Sequence, residues 1–260
     1  MSTLLSAQGV SRAFGGVQAL SLCSLDVEKG SITGLIGPNG SGKTTLFNVM
    51  TGYVKPDVGT VTFDGRNITN ARPDKVFALG VGRTFQLTRI FGRMTVVENM
   101  LVATQHEEGW LRGLTRSKSS KSELDSAMEW LDFVGLARLS SMEAGSLSYG
   151  QRKLLELAYV LVADPDVILL DEPAGGVNPT LINEIGEKIR TLNKSGKTFL
   201  IVEHNMEFVM NLCDAVTVMH QGSDLVTGTP AEVRSNPLVL DAYLGGGEDD
   251  EDETIEAAHG

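Results

Sequence analysis

Gly37-Pro38-Asn39-Gly40-Ser41-Gly42-Lys43-Thr44-Thr45 has the pattern of a phosphate-binding loop: a glycine, four residues, then glycine, lysine and a hydroxyl residue. Its flanks fit that reading. Ile32-Thr33-Gly34-Leu35-Ile36 is an apolar run of strand length, and Thr45-Leu46-Phe47-Asn48-Val49-Met50 begins a helix. Glycines let backbone N–H groups converge on phosphate oxygens, and a helix N-terminus adds favourable partial charge. Lys43 is expected to reach the β- and γ-phosphates of ATP and Thr44 to offer its hydroxyl to Mg²⁺. Gly37, Asn39, Gly40, Ser41, Gly42 and Thr45 complete the expected nucleotide cradle.

Further along, Val167-Ile168-Leu169-Leu170-Asp171-Glu172-Pro173 is a buried-strand pattern that delivers two carboxylates at its C-terminal end. Open α/β sheets bind ligands at that edge. Asp171 is placed to hold Mg²⁺, directly or through water, and Glu172 to polarise an attacking water as general base. Alone, this segment could be any strand running into an acidic turn. A phosphate loop in the same chain gives it chemical meaning.

Other segments share the strand texture. Phe199-Leu200-Ile201-Val202 and Val216-Thr217-Val218-Met219 are short apolar runs suited to parallel strands covered on both faces. The N-terminal text instead alternates, with Cys23, Leu25 and Val27 on one face and Ser24, Asp26 and Glu28 on the other, as half-buried antiparallel strands do. Leu181, Ile185, Ile189 and Leu192 recur at helical spacing behind an Asn178-Pro179 start and before a Gly196 stop. From Gln86 to Asp164 helical patterning dominates. The fold class expected is α/β: a P-loop NTPase core with a mixed sheet and an antiparallel β-subdomain, plus an inserted helical subdomain. Residues 1–85 and 165–244 form the expected nucleotide-binding core, 86–164 the helical subdomain and 245–260 a disordered acidic tail.

Composition narrows the class. The chain has 260 residues and a net charge of −11, but Glu248, Asp249, Asp250, Glu251, Asp252, Glu253 and Glu256 crowd the stretch after three glycines. The remainder carries an ordinary balance and offers no basic face for nucleic acid. Cys23 and Cys213 sit in apolar text and read as reduced, buried thiols of a cytosolic protein. No uninterrupted apolar run reaches membrane-spanning length, and the N-terminus does not read as a secretory signal. A membrane role is therefore expected to run through a partner.

Leu147-Ser148-Tyr149-Gly150-Gln151 precedes amphipathic helical text beginning at Arg152, and taken bare the serine could be a helix N-cap. The order of segments changes its weight. Phosphate loop, Gln86, this segment, the acidic strand, then His204 after a further apolar strand: that succession resembles the ATP-binding cassette ATPases, from Leu4 to about Gly245. The resemblance implies that Phe14 stacks on adenine, that Gln86 senses Mg²⁺ and joins the lobes, and that Ser148 and Gly150 contact the γ-phosphate held by an opposite subunit. It also implies that His204 is the switch histidine.

Asn178 stands where many cassettes carry aspartate. That variant, with Arg83 to Phe91, Met94 to Asn99 and Asn236-Pro237 to Gly245, is similar to the cassettes of branched-chain amino acid importers, as is the polar insert from Glu107 to Leu124. Lipopolysaccharide-export ATPases share much of this text, and soluble non-transport cassettes form a third class, usually with paired cassettes, coiled coils or basic surfaces that this chain lacks. The resemblance implies a head-to-tail dimer with a second ATPase subunit, self or related. It also implies transmembrane permease subunits and, indirectly, a solute-binding protein. The expected location is cytoplasmic, peripheral on the inner face of the cell membrane.

Overall fold

The computed structural model describes residues 2–84, 90–104 and 121–244. Gln86, most of the polar insert and the acidic tail lie outside the described residues. Among the described residues two sheets form. Strands β1 (Thr3–Phe14), β2 (Val17–Glu28), β4 (Val58–Phe63) and β5 (Arg66–Asn67) make an antiparallel sheet in the order β2-β1-β4-β5. Strands β3 (Ile32–Ile36), β6 (Val81–Arg83), β7 (Val167–Asp171), β8 (Thr198–Val202), β9 (Ala215–His220) and β10 (Ser223–Gly228) make the second, ordered β10-β9-β3-β8-β7-β6. There β9, β3, β8, β7 and β6 run parallel, and β10 closes the edge antiparallel to β9.

Each sheet follows its side-chain pattern. The five residues of β3, β7 and β8 are all buried, because both faces of the parallel sheet are covered. Along β3, Ile32 and Ile36 face one apolar core while Leu35 faces the other; along β8, Phe199 and Ile201 alternate with Leu200 and Val202 in the same way. The antiparallel sheet buries one face through Leu20, Cys23, Leu25 and Val27 and wets the other. Cys23 and Cys213 are free and buried, and burial pushes both thiols up to about 12.

Helices fill the two cores. α1 (Lys43–Met50) lies between the sheets and buries Leu46, Phe47, Val49 and Met50, with α2 (Pro73–Ala78) beyond it. The stretch that sequence marks as helical carries α3 (Val96–Thr104), α4 (Lys121–Phe133) and α5 (Tyr149–Leu161), whose apolar faces join the core on the other side of the parallel sheet. α6 (Pro179–Lys194) follows β7, α7 (Met206–Leu212) follows β8, and α8 (Pro230–Ser235) and α9 (Pro237–Leu244) follow β10. One boundary differs from expectation. The helix foreseen from Arg152 starts at Tyr149, because Ser148 caps it and Gln151 returns the bond to the Ser148 N–H at 2.9 Å. No helix among the described residues is long and apolar enough to cross a membrane.

Candidate functional site

The C-terminal ends of β3, β7 and β8 lie side by side, so the segments that leave them converge. Leu35 pairs with Val202 and Asp171 with Val202, which puts the phosphate loop, Glu172 and Glu203-His204 at one edge. The Glu172 N–H donates to the Val202 carbonyl at 2.9 Å and extends the ladder one step past the strand. Chain order scatters these groups; sheet register gathers them.

The phosphate loop is braced from outside and open within. Gly42 has φ 100°, and a Cβ there would lie 2.5 Å from the Ala19 carbonyl of β2, so only glycine fits. The Gly222 N–H donates to the Ser41 carbonyl at 3.0 Å from the β9–β10 turn. Asn39, Gly40 and Thr44 are exposed, whereas Ser41 is buried and its hydroxyl has no hydrogen-bond partner among the described residues. Lys43 donates to the Gly37 and Pro38 carbonyls at 2.8 and 2.9 Å. Burial holds its pKa below the ordinary lysine value, against the opposing pull of Glu172 and Asp171. No side chain caps α1, whereas Ser148, Asn178, Asn205 and Thr229 cap the helices they precede. The first N–H groups of α1 are left to a ligand, and an anion suits them.

Asp171 is buried, and burial raises its carboxyl above the usual range, partly offset by Arg83, whose guanidinium lies 3.9 Å away. Its N–H donates to the Thr84 hydroxyl at 3.1 Å. Burial and the neighbouring Glu172 and Glu203 outweigh Arg83 and Lys153 in that balance, so a further cation beside Asp171 would be favourable. Among the described residues no cluster of three or more His, Cys, Asp or Glu exists that could cage a metal by itself. One carboxylate with the Thr44 hydroxyl fits Mg²⁺, which is commonly held by few protein ligands plus phosphate oxygens.

Glu172 is part-exposed and sits in the left-handed region at φ 48°, as Leu22, Asp64, Asp164 and Gln221 also do. His204, well exposed, brings Nδ1 to 3.8 Å from the Glu172 carboxylate. Phe14 ends β1 at the tip of the β1–β2 hairpin whose second arm leans on Gly42. Its ring is exposed, with the Arg12 guanidinium 4.8 Å from its centroid, and Asp57 holds that arginine at 2.6 Å.

Ser148 and Gly150 stand apart from this group. The hydrogen bonds of Ser148 stay within its own helix, and Gly150 packs against Leu181 of α6 so closely that a Cβ would collide with it. Both lie at the outer start of α5, where Ser148 is exposed.

Three residues that the sequence reading left without a role hold the site in place. Arg83 donates to Asn48 of α1 and to Thr51, which caps that helix's C-terminus, each at 2.8 Å, and lies over the Phe47 and Tyr53 rings. Lys153, buried on α5, donates to the Glu172 carbonyl at 2.8 Å. Glu203 accepts three backbone N–H groups. A charged residue on the apolar face of an amphipathic helix is the sequence signal for Lys153; Glu203 carries only its place at a strand end.

The ABC transporter family profile matches residues 20–175, and a profile described as branched-chain amino acid ATP-binding cassette transporter matches residues 225–249. The chain is 42% identical over 250 residues to a Salmonella typhimurium protein named high-affinity branched-chain amino acid transport ATP-binding protein LivG, covering 93% of this chain and 98% of that one. It is 39% identical to the Pseudomonas aeruginosa protein BraF, named in the same way, over 93% and 98%. A crystal structure of a nucleotide-free ATP-binding cassette from an ABC transporter superposes with a TM-score of 0.84 at 37% identity, covering 93% of this chain and 99% of the other.

Proposed function

The chain belongs to the ABC transporter family, and from that premise we propose that it is the ATP-hydrolysing subunit of an importer for branched-chain amino acids or related small polar solutes. It is an ATPase; the solute is the part inferred. That inference leans on the residues from 225 onward, which match the branched-chain profile, and on relatives that are themselves named for branched-chain amino acid transport. Residues 1–85 and 165–244 act as the nucleotide-binding core and 86–164 as the helical arm that carries Ser148 and Gly150. The working location is the cytoplasmic face of the membrane, on permease subunits served by a solute-binding protein.

The convergence of Lys43, Asp171, Glu172 and His204 at one sheet edge carries the mechanism. Lys43 exchanges its two loop carbonyls for β- and γ-phosphate oxygens, and the uncapped N–H groups of α1 take the rest. Asp171 and Thr44 would hold Mg²⁺, which would neutralise phosphate charge. Glu172 accepts a proton from the attacking water, and His204, within reach of that carboxylate, orients the γ-phosphate side. Gln86, outside the described residues, takes the Mg²⁺-sensing role that the family resemblance implies. Phe14 supplies a stacking face for adenine.

Ser148 and Gly150 have no phosphate of their own to bind. They suit the γ-phosphate held by a second cassette, so ATP bridges two head-to-tail subunits and its hydrolysis removes the bridge. Reconstitution tests the transport assignment. The full chain co-purified with its permeases into vesicles should hydrolyse ATP faster when a solute-binding protein loaded with leucine is supplied outside. Stimulation by an unrelated solute, or partners from an export system, would remove the importer assignment.

A further inference from the structure

Glu203 follows β8 and its side chain is fully buried. Its Oε1 accepts the Ala174 N–H at 2.6 Å, and its Oε2 accepts the His204 and Asn205 N–H groups at 3.1 and 3.2 Å. Its own N–H donates to the Leu35 carbonyl at 3.3 Å, on the strand that runs into the phosphate loop. One residue thus touches the strand before the phosphate loop, the turn after Glu172 and the turn that carries His204. Among the described residues the basic group that pairs with it is the His204 ring, with Nδ1 at 4.0 Å. A buried carboxylate is costly unless its acceptors are filled, and here backbone amides from two separate loops fill them.

We propose that Glu203 is a positioning residue for hydrolysis: its carboxylate locks the Glu172 turn to the His204 turn and sets the spacing between those two side chains. The strands stop supplying that spacing at Asp171 and Val202, the last pair in register. Past this point the ladder has one more bond, from Glu172 N–H to Val202, and among the described residues no further backbone bond joins the two turns. The Glu203 carboxylate replaces the missing ladder, with one oxygen on each side. The His204 ring is 64% exposed, and its only ion pairs among the described residues are the two acids, so its place depends on the backbone that Glu203 holds. Reactivity is sensitive to such placement, since an error of about 1 Å in a positioned group can cost on the order of 10²-fold in rate.

The inference rests on the reading of Glu172 and His204 as a working pair, and a double-mutant cycle separates the two. Glu203→Gln keeps volume and one acceptor oxygen but turns an NH₂ group toward one of the loops, where it cannot accept an N–H. In the full chain, kcat should fall on the order of 10²-fold while KM for ATP stays within about twofold. In a His204→Ala background the same substitution should change kcat less than about threefold, because residues that act through one another are not additive. Unchanged kcat in Glu203→Gln, equal losses in both backgrounds, or a parallel loss of kcat, KM and thermal stability would overturn the proposal. Wild-type kcat in His204→Ala would remove the histidine from the site reading and the proposal with it; impaired His204→Ala beside unimpaired Glu203→Gln removes the proposal alone. Should Glu203→Gln not fold, amide hydrogen exchange on the wild-type chain decides. Ala174, His204 and Asn205 should be protected alike, and free exchange at His204 and Asn205 would overturn the clamp.

Discussion

Two helix N-termini in this chain are assigned to phosphate, and they are built in opposite ways. α1 begins at Gly42 with no side-chain cap, a lysine at its first position and a buried, unpartnered Ser41 hydroxyl beside it. α5 begins with a complete capping box, in which Ser148 accepts from the Gln151 N–H at 3.3 Å and Gln151 returns the bond. The first is open, basic and waiting; the second is closed and stable alone. An open terminus suits a nucleotide held by the chain itself. A closed one with a long, weak cap suits a phosphate that arrives only when a second subunit docks, because the resting helix leaves little unsatisfied and gives up little on contact.

Substitutions at the two termini should therefore separate nucleotide affinity from turnover, and the expected effects on affinity fall in order. Lys43→Ala removes a charge-assisted phosphate contact from the open terminus. The folded variant should lose measurable ATPase activity and most nucleotide affinity, as read by equilibrium binding of a fluorescent ATP analogue. Near-normal turnover would break the comparison at its first term. Phe14→Ala should weaken ATP binding by about 1–3 kcal/mol, the worth of one stacked base, with little preference among bases. Unchanged affinity would place adenine elsewhere. Ser148→Ala should leave nucleotide affinity of the isolated subunit unchanged, lower thermal stability by about 1 kcal/mol through loss of the cap, and still reduce turnover about tenfold or more. Weaker binding in the isolated Ser148→Ala subunit would mean that the closed terminus serves its own nucleotide.

The sequence discloses the open terminus better than the closed one, for a physical reason. A phosphate loop is local: glycines, lysine and hydroxyl lie within nine consecutive residues between a buried strand and a helix. The apolar runs of β3, β7, β8 and β9 are equally local, so the parallel core and the strand ends that carry the candidate site are readable from the sequence. The Ser148–Gln151 pair is a capping box that spacing alone can show, yet an expected start at Arg152 stops short of it. What spacing cannot show is contact across the chain. Lys153 reaches a carbonyl 19 residues away and Glu203 an amide 29 residues away, and both depend on which strands become neighbours. Neither β6, with three residues, nor the short β5 gives a strand signal strong enough to fix that order.

The central claim is that binding belongs to the phosphate loop while bond cleavage belongs to the acid one step beyond β7. Glu172→Gln tests it most directly, because size and hydrogen bonding are kept while basicity is lost. Turnover should fall by roughly 10²–10⁴-fold, the usual worth of a general base, with ATP affinity close to wild type. With hydrolysis blocked, ATP should stay bridged between the two termini, so size-exclusion chromatography with ATP and Mg²⁺ should show a dimer, or a complex with the related partner, that the wild type does not hold. Wild-type turnover would take Glu172 out of the base role. Lost nucleotide binding in a well-folded Glu172→Gln protein would contradict the division itself and transfer the metal from Asp171 to Glu172.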